Sequence, residues 1–196
     1  MSRIITLGDS TSMKVFISML RGINVSGQNK ISMTDLKVLY ESIGLVNVQT
    51  YVQSGNVVFE SKLKDDSKLP GLIRNQILKS LGYDVSVFIR NTDDFNRILA
   101  NNPFLKKRKG DSSNLYVTFL AAIPSKDQLS NLDHAISSTD EFIIGESEIF
   151  LFCPGGYGNT KLSNNYFERK LKIAATTRNW NSVTALHNMA YNHNRM

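Results

Sequence analysis

Alternating strands, a tight hairpin, helical apolar faces and an element order that nearly repeats together predict an α+β fold. The form they predict is two tandem ferredoxin-like (βαββαβ-type) halves with antiparallel sheets. The chain has 196 residues, 41% of them hydrophobic, which is room and material for one large domain or two small ones. The expected division is a loose N-terminal extension over 1–12, a first half over 13–91, and a second half with extra helices over 92–196.

Lys14 to Leu20 is rich in β-branched and aromatic residues and reads as a strand. A Gly/Asn loop follows, and Ser32 stands three residues before Asp35 in the manner of a helix cap. Leu36, Leu39, Tyr40 and Ile43 share one helical face, and Gly44 can take the left-handed conformation that ends it. Val46, Val48, Thr50 and Val52 alternate with polar neighbours, Ser54-Gly55-Asn56 turns the chain, and Val57 to Glu60 returns. Leu69-Pro70 starts a second helix whose Leu69, Ile73, Ile77 and Leu81 align, with Gly82 as its stop. Val85, Val87 and Ile89 form the last strand of this half.

Thr92 is expected to cap a short helix carrying Phe95, Ile98 and Leu99, ended by Asn102-Pro103. Leu115, Val117 and Phe119 mark a strand. Ser125 and Gln128 form a capping box before Leu129, Leu132 and Ile136. Phe142 to Ile144 and Ile149 to Cys153 read as a hairpin. A helix around Asn164 to Leu171, a short strand over Ile173 to Thr177, and a last helix bearing Trp180, Val183, Leu186 and Ala190 complete the chain. The second half thus reads βαββα with an extra helix at each end.

Charge narrows the partners. The net charge is +6, with a basic run at Lys106, Lys107, Arg108 and Lys109. From Lys161 onward Glu168 is the sole acid against six basic residues. Such a face attracts phosphate groups, on a small ligand or a nucleic acid. One cysteine allows no intrachain disulfide and fits a cytoplasmic location. No run approaches the apolar length of a membrane span, so no membrane partner is expected. His134, His187 and His193 lack metal-ligand spacing, and neither metal nor cofactor is expected. Cys153 ends an apolar strand and reads as a buried small hydrophobe.

Polar residues gather at strand ends and turns, where sites are built. The candidate ligand-binding residues are Arg21, Asn24, Gln53, Ser54, Asn56, Lys161, Arg178 and Asn179. Lys161 closes a glycine-rich stretch, Pro154 to Thr160, that could crowd backbone N–H groups on an anion. Arg178 and Asn179 are placed at the start of the last helix, with its unpaired N–H groups. Arg21 and Asn56 are expected at opposite ends of the sheet, a strand length apart, and so in two clusters.

Four blocks carry a resemblance: Leu20-Arg21-Gly22-Ile23-Asn24-Val25, Thr50 to Val57, Asn102-Pro103-Phe104, and Thr176 to Asn181. In this order they resemble the bacterial family catalogued as domain of unknown function 1697. Ser26-Gly27 stands where that family often has Gly-Gly, and Ser182 where it usually has Thr. The resemblance implies a two-part α+β fold and no particular activity. The residues themselves point to a binding module for a phosphate-bearing ligand or nucleic acid. The alternative is a cofactor-free enzyme with a polar site between the halves, whose Asn, Gln, Ser and Arg groups would stabilise an oxyanion.

Overall fold

The computed structural model describes residues 13–25, 27, 29–108, 112–133 and 139–193. The expectations for 1–12, Ser26, Lys109, His134 and Ile136 fall outside them. Strand β1 (Lys14–Leu20) is followed by α1 (Met33–Ser42), β2 (Val46–Tyr51), β3 (Asn56–Ser61), α2 (Leu69–Leu81) and β4 (Val87–Asn91). Helices α3 (Thr92–Asn101) and α4 (Pro103–Lys107) lead to β5 (Leu115–Leu120), α5 (Lys126–Leu129), β6 (Glu141–Ile144), β7 (Glu148–Phe152), α6 (Asn164–Leu171), β8 (Ala175–Asn179) and α7 (Trp180–His193). Two four-stranded antiparallel sheets result, with orders β2-β3-β1-β4 and β6-β7-β5-β8.

Local chemistry explains most boundaries. The Ser32 hydroxyl accepts from Asp35 N at 3.0 Å and starts α1. Gly82, at φ 74, ends α2. Gly55, at φ 71, sits so close to Leu20 and Ile23 that a Cβ there would lie under 3 Å from both side chains, so the β2–β3 turn demands glycine.

Five expectations need correction. Asn91 caps α3, in a capping box with Asp94; the carboxamide outcompetes Thr92, which is already helical. After Asn102-Pro103 the chain forms a second short helix, because the Asn102 carboxamide caps Phe104 N at 3.0 Å. The helix begun at Ser125 is a single turn. Val85 is buried but precedes its strand, and the strand proposed at Ile173–Thr177 instead runs Ala175–Asn179, so Arg178 belongs to a strand and not to a helix start.

β1 is buried on both faces. Phe16 and Leu20 face α1 and α2 with Leu36, Tyr40, Ile73 and Ile77. Val15, Ile17 and Met19 face a central layer made by α3 and α7, where they meet Val117, Phe119, Phe150, Trp180 and Leu186 of the second half. The outer face of the second sheet packs on α6 through Phe167 and Leu171. Trp180, 7% exposed, lies in the central cluster.

The two sheets correspond residue by residue. Ile17 pairs with Arg90, and Val117 with Arg178. Leu20 N donates to Gly55 O, and Leu120 N to Ser147 O. Met19 pairs with Asn56, and Phe119 with Glu148. Asn91 and Asn179 each cap the central helix that follows. At these matched positions the arginines cross between sheets: Arg90 Nη2 donates to Leu120 O and Ser147 O, and Arg178 Nη2 donates to Leu20 O and Ser54 O.

Candidate functional site

The sheet topology brings the first loop and the hairpin turn together. An α-helical crossover between β1 and β2 makes them parallel, so both end at one edge of the sheet, and β3 begins there. The expected strand-length separation of Arg21 and Asn56 is therefore wrong: Asn56 pairs with Met19, two residues before Arg21. The two expected clusters are one.

Arg178 is its centre. All five guanidinium N–H groups are spent: Nε on Asn56 Oδ1 at 2.5 Å, Nη1 on Thr176 Oγ1 and Thr177 O at 2.9 Å each, and Nη2 on Leu20 O at 2.8 Å and Ser54 O at 3.1 Å. Asn56 is fully buried, and its Nδ2 donates to Ser54 Oγ at 2.8 Å and Tyr51 O at 3.3 Å. No carboxylate bonds to Arg178 among the described residues. Burial pushes its guanidinium down to about 10, which still leaves it charged at neutral pH. Arg178 therefore joins the two sheets and has no donor left for a ligand.

Arg21 lies at the exposed margin of this cluster. Its Nε and Nη2 grip the Glu168 carboxylate at 2.8 and 2.6 Å, and Nη2 also reaches Asn165 Oδ1 at 2.8 Å. Hydrogen bonding to Glu168 raises the Arg21 guanidinium. Burial works against charge on Glu168, yet Arg21 and the Ala175 N–H, at 2.9 Å, outweigh it and hold the carboxyl below its ordinary value. Asn24, at φ 54, closes the first loop by bonding Ile31 O, Ile31 N and Gln53 O. Gln53 and Ser54 are exposed on the turn.

In the glycine-rich stretch most N–H groups turn inward. Four of its amides are committed: Gly156 N to Cys153 O, Tyr157 N to the Tyr116 hydroxyl, Asn159 N to Gly156 O, and Thr160 N to Tyr157 O. Lys161 is exposed, and nothing brings its side chain to the cluster. Cys153 is buried, and burial pushes its thiol up to about 11, as befits an inert core residue.

The spacing gave no sign of the residues that extend this cluster. The Tyr157 hydroxyl donates to Thr177 Oγ1 at 2.9 Å and accepts from Asn164 N at 3.1 Å. Thr177 Oγ1 in turn donates to Asn164 Oδ1 at 2.6 Å, so Thr118, 2.7 Å away, donates to Thr177. Burial raises the Tyr157 phenol, which stays neutral. Through Tyr116 this band reaches a groove of about 370 Å³ lined by Ser112, Asn114, Tyr116, Asn179, Trp180 and Asn181. Asn179 Oδ1 accepts from Ser182 N at 2.8 Å, so it caps α7. Trp180 and Asn181, the first residues of that helix, line the groove, and the first N–H groups of a helix have no helical acceptor.

The fold and site define an α+β protein with two four-stranded antiparallel sheets joined by a polar junction, with a helix N-terminus opening on a small groove beside it. Residues 13–150 match the family model described as a protein of unknown function (DUF1697), and the chain belongs to that family. The first three sequence blocks lie within the match and the fourth beyond it. Among solved structures, the chain is similar to the conserved bacterial protein SP0830 from Streptococcus pneumoniae, at 23% identity and a TM-score of 0.72, over 91% of this chain and 99% of that one. That likeness is one of fold. No curated protein matches the chain. Among the described residues no group of three His, Cys, Asp or Glu gathers as for a metal, and no helix is long and apolar enough to cross a membrane.

Proposed function

We propose that the protein is a cytoplasmic binding module for a small phosphate-bearing ligand, seated in the groove at the start of α7. The observation that carries this reading is the groove itself: Trp180 and Asn181, at the positive end of a 14-residue helix, line a polar hollow. The Arg178 cation, buried without a carboxylate partner among the described residues, lies two residues upstream of Trp180 and adds positive potential in a low-dielectric setting. Asn179 orients the helix end. Arg21, Gln53 and Ser54 are the contacts proposed for the remainder of the ligand along the exposed junction, with Lys161 steering anions from its loop. Asn24, Asn56 and Arg178 hold that junction in shape.

The fold is read with it: residues 13–91 and 92–196 as tandem ferredoxin-like units and 1–12 as a loose extension. The strand order of each sheet supports the first part. The shared central layer makes the units structural repeats that depend on one another.

Trp180 is the sole tryptophan and lines the groove, so its fluorescence reports occupancy. Inorganic phosphate and adenosine monophosphate are expected to change it saturably and to move the Trp180 and Asn181 amide resonances. Asn181→Asp places a carboxylate in the groove while suiting the helix dipole, and is expected to weaken binding roughly tenfold with the fold intact. Absence of any phosphate-dependent signal at these residues, or equal binding by Asn181→Asp, refutes the reading. Tight binding of oligonucleotides alone would move the ligand class to nucleic acid.

A further inference from the structure

The groove at the start of α7 has a counterpart in the other half. Ile17 pairs with Arg90 as Val117 pairs with Arg178, so Lys14 and Val15 match Asn114 and Leu115. By the same register Asn91, Thr92 and Asp93 match Asn179, Trp180 and Asn181. Lys14, Val15, Asn91, Thr92 and Asp93 do line a second hollow, of about 640 Å³, beside α3. A hollow that recurs at matched positions is a product of the repeated backbone and not of one loop.

The two hollows differ in charge. No charged side chain among the described residues lines the α7 groove, where Asn114 and Asn181 stand at the places of Lys14 and Asp93. Asp66, from the turn before α2, adds a second carboxylate to the α3 groove. Lys14 and Asp93 are exposed and Asp66 is half-buried, so all three are open to a ligand. Opposite charges thus border one hollow, yet neither Lys14 nor Asp66 nor Asp93 forms an ion pair among the described residues. The next acid shows the contrast: Asp94 closes the capping box with Asn91 and lies 3.9 Å from Arg97. Asp93 has no such duty. A simple anion would meet two carboxylates here, and a simple cation would meet an ammonium. A ligand that carries both charges meets neither conflict. Beyond the charges the wall turns apolar, with Met13 42% and Tyr191 44% exposed.

We propose that the α3 groove binds a free α-amino acid with an apolar side chain, its carboxylate on Lys14 and its ammonium on Asp93 and Asp66. The site shares no residue with the α7 groove, so either reading can fail alone. The test follows the Thr92 and Asp93 amide resonances of the full chain during titration with leucine. The comparison ligands are 3-methylbutylamine and 4-methylpentanoate, which keep the side chain and one charge each, at equal ionic strength. A saturable shift is expected with leucine, at least roughly tenfold tighter than with either analogue, as a second charged hydrogen bond provides. Lys14→Gln is expected to weaken leucine roughly tenfold and to leave the amine no weaker. Asp93→Asn, which copies the α7 groove, is expected to weaken leucine to a similar degree and to leave 4-methylpentanoate no weaker. No saturable shift with leucine, equal binding of either one-charge analogue, or leucine binding unchanged by both substitutions overturns the proposal.

Discussion

Arg178 and Arg90 occupy matching positions in the two sheets and make the same crossing, yet they end differently. Arg178 meets Asn56, and every donor is used. Where Asn56 stands in the first half, the second half has Glu148, 1% exposed. That carboxylate is taken by Arg97, at 2.6 and 3.1 Å, and by the turn amides of Glu146 and Ser147. Arg90 Nε is consequently buried with no partner among the described residues, and the guanidinium leans on the Phe119 ring, 5.8 Å from its centroid. Repeated backbone geometry fixes where an arginine can reach; the one side chain at the turn decides whether it is saturated. Desolvation lowers both guanidinium groups, but Arg90 has acids nearby, Asp94 and Glu148, while for Arg178 the partly compensating group is the Tyr157 phenol.

The comparison predicts a ranking of stabilities. Arg178→Met strands Leu20 O and Asn56 Oδ1 in the interior, and a loss of at least about 3 kcal/mol in urea unfolding is expected. Asn56→Ala makes the first crossing resemble the second by leaving Arg178 Nε unpaired, at about 1–3 kcal/mol in the same assay. Arg90→Met removes fewer bonds from a less buried group and is expected to cost about 1–2 kcal/mol. Equal losses for Arg178→Met and Arg90→Met would break the comparison outright.

The smallest effect concerns the margin of the junction. Glu168 is held below its ordinary 4.5 by Arg21 and the Ala175 N–H. A carboxyl depressed on folding contributes stability that is complete above its unfolded value and lost as pH falls through the folded one. Glu168→Gln is thus expected to cost about 1 kcal/mol near neutrality, the group being partly solvated. The gap from wild type should narrow as the pH drops below 4.5. A gap independent of pH would show that the contact works through shape and not charge.

Much of this architecture is written in local signals. The alternation of Val46, Val48 and Thr50, the Ser54-Gly55-Asn56 turn and the apolar faces of α1 and α2 are short-range patterns, and each element appears near its expected place. The end of the chain was harder. Thr176-Thr177-Arg178 is β-branched up to the arginine, and Asn179 three residues before Ser182 is an N-cap pattern; both say that the strand continues through Arg178. The repeated Arg-Asn pair, Arg90-Asn91 and Arg178-Asn179, is the one sequence trace of the crossing. The partners themselves lie beyond local patterns. Asn56 is 122 residues from Arg178, so no spacing rule links them. Of the named site residues, Ser54, Asn56 and Arg178 bond one another, Arg21 bonds Glu168 and Asn165, and Asn24 closes the first loop, because Asn and Arg serve backbone carbonyls and neighbouring side chains as well as they serve ligands.

The bond from Arg178 to Leu20 O spans 158 residues. During synthesis the end of β1 leaves the ribosome early, while the group that satisfies its carbonyl is added 158 residues later. At translation speeds of about 5–20 residues per second, Leu20 O waits roughly ten to thirty seconds for its partner. The nascent chain is thus committed to late closure. A stop codon between β4 and β8 would release a polypeptide whose first half has every strand and still cannot be sealed, which makes it a natural target for chaperones and proteases.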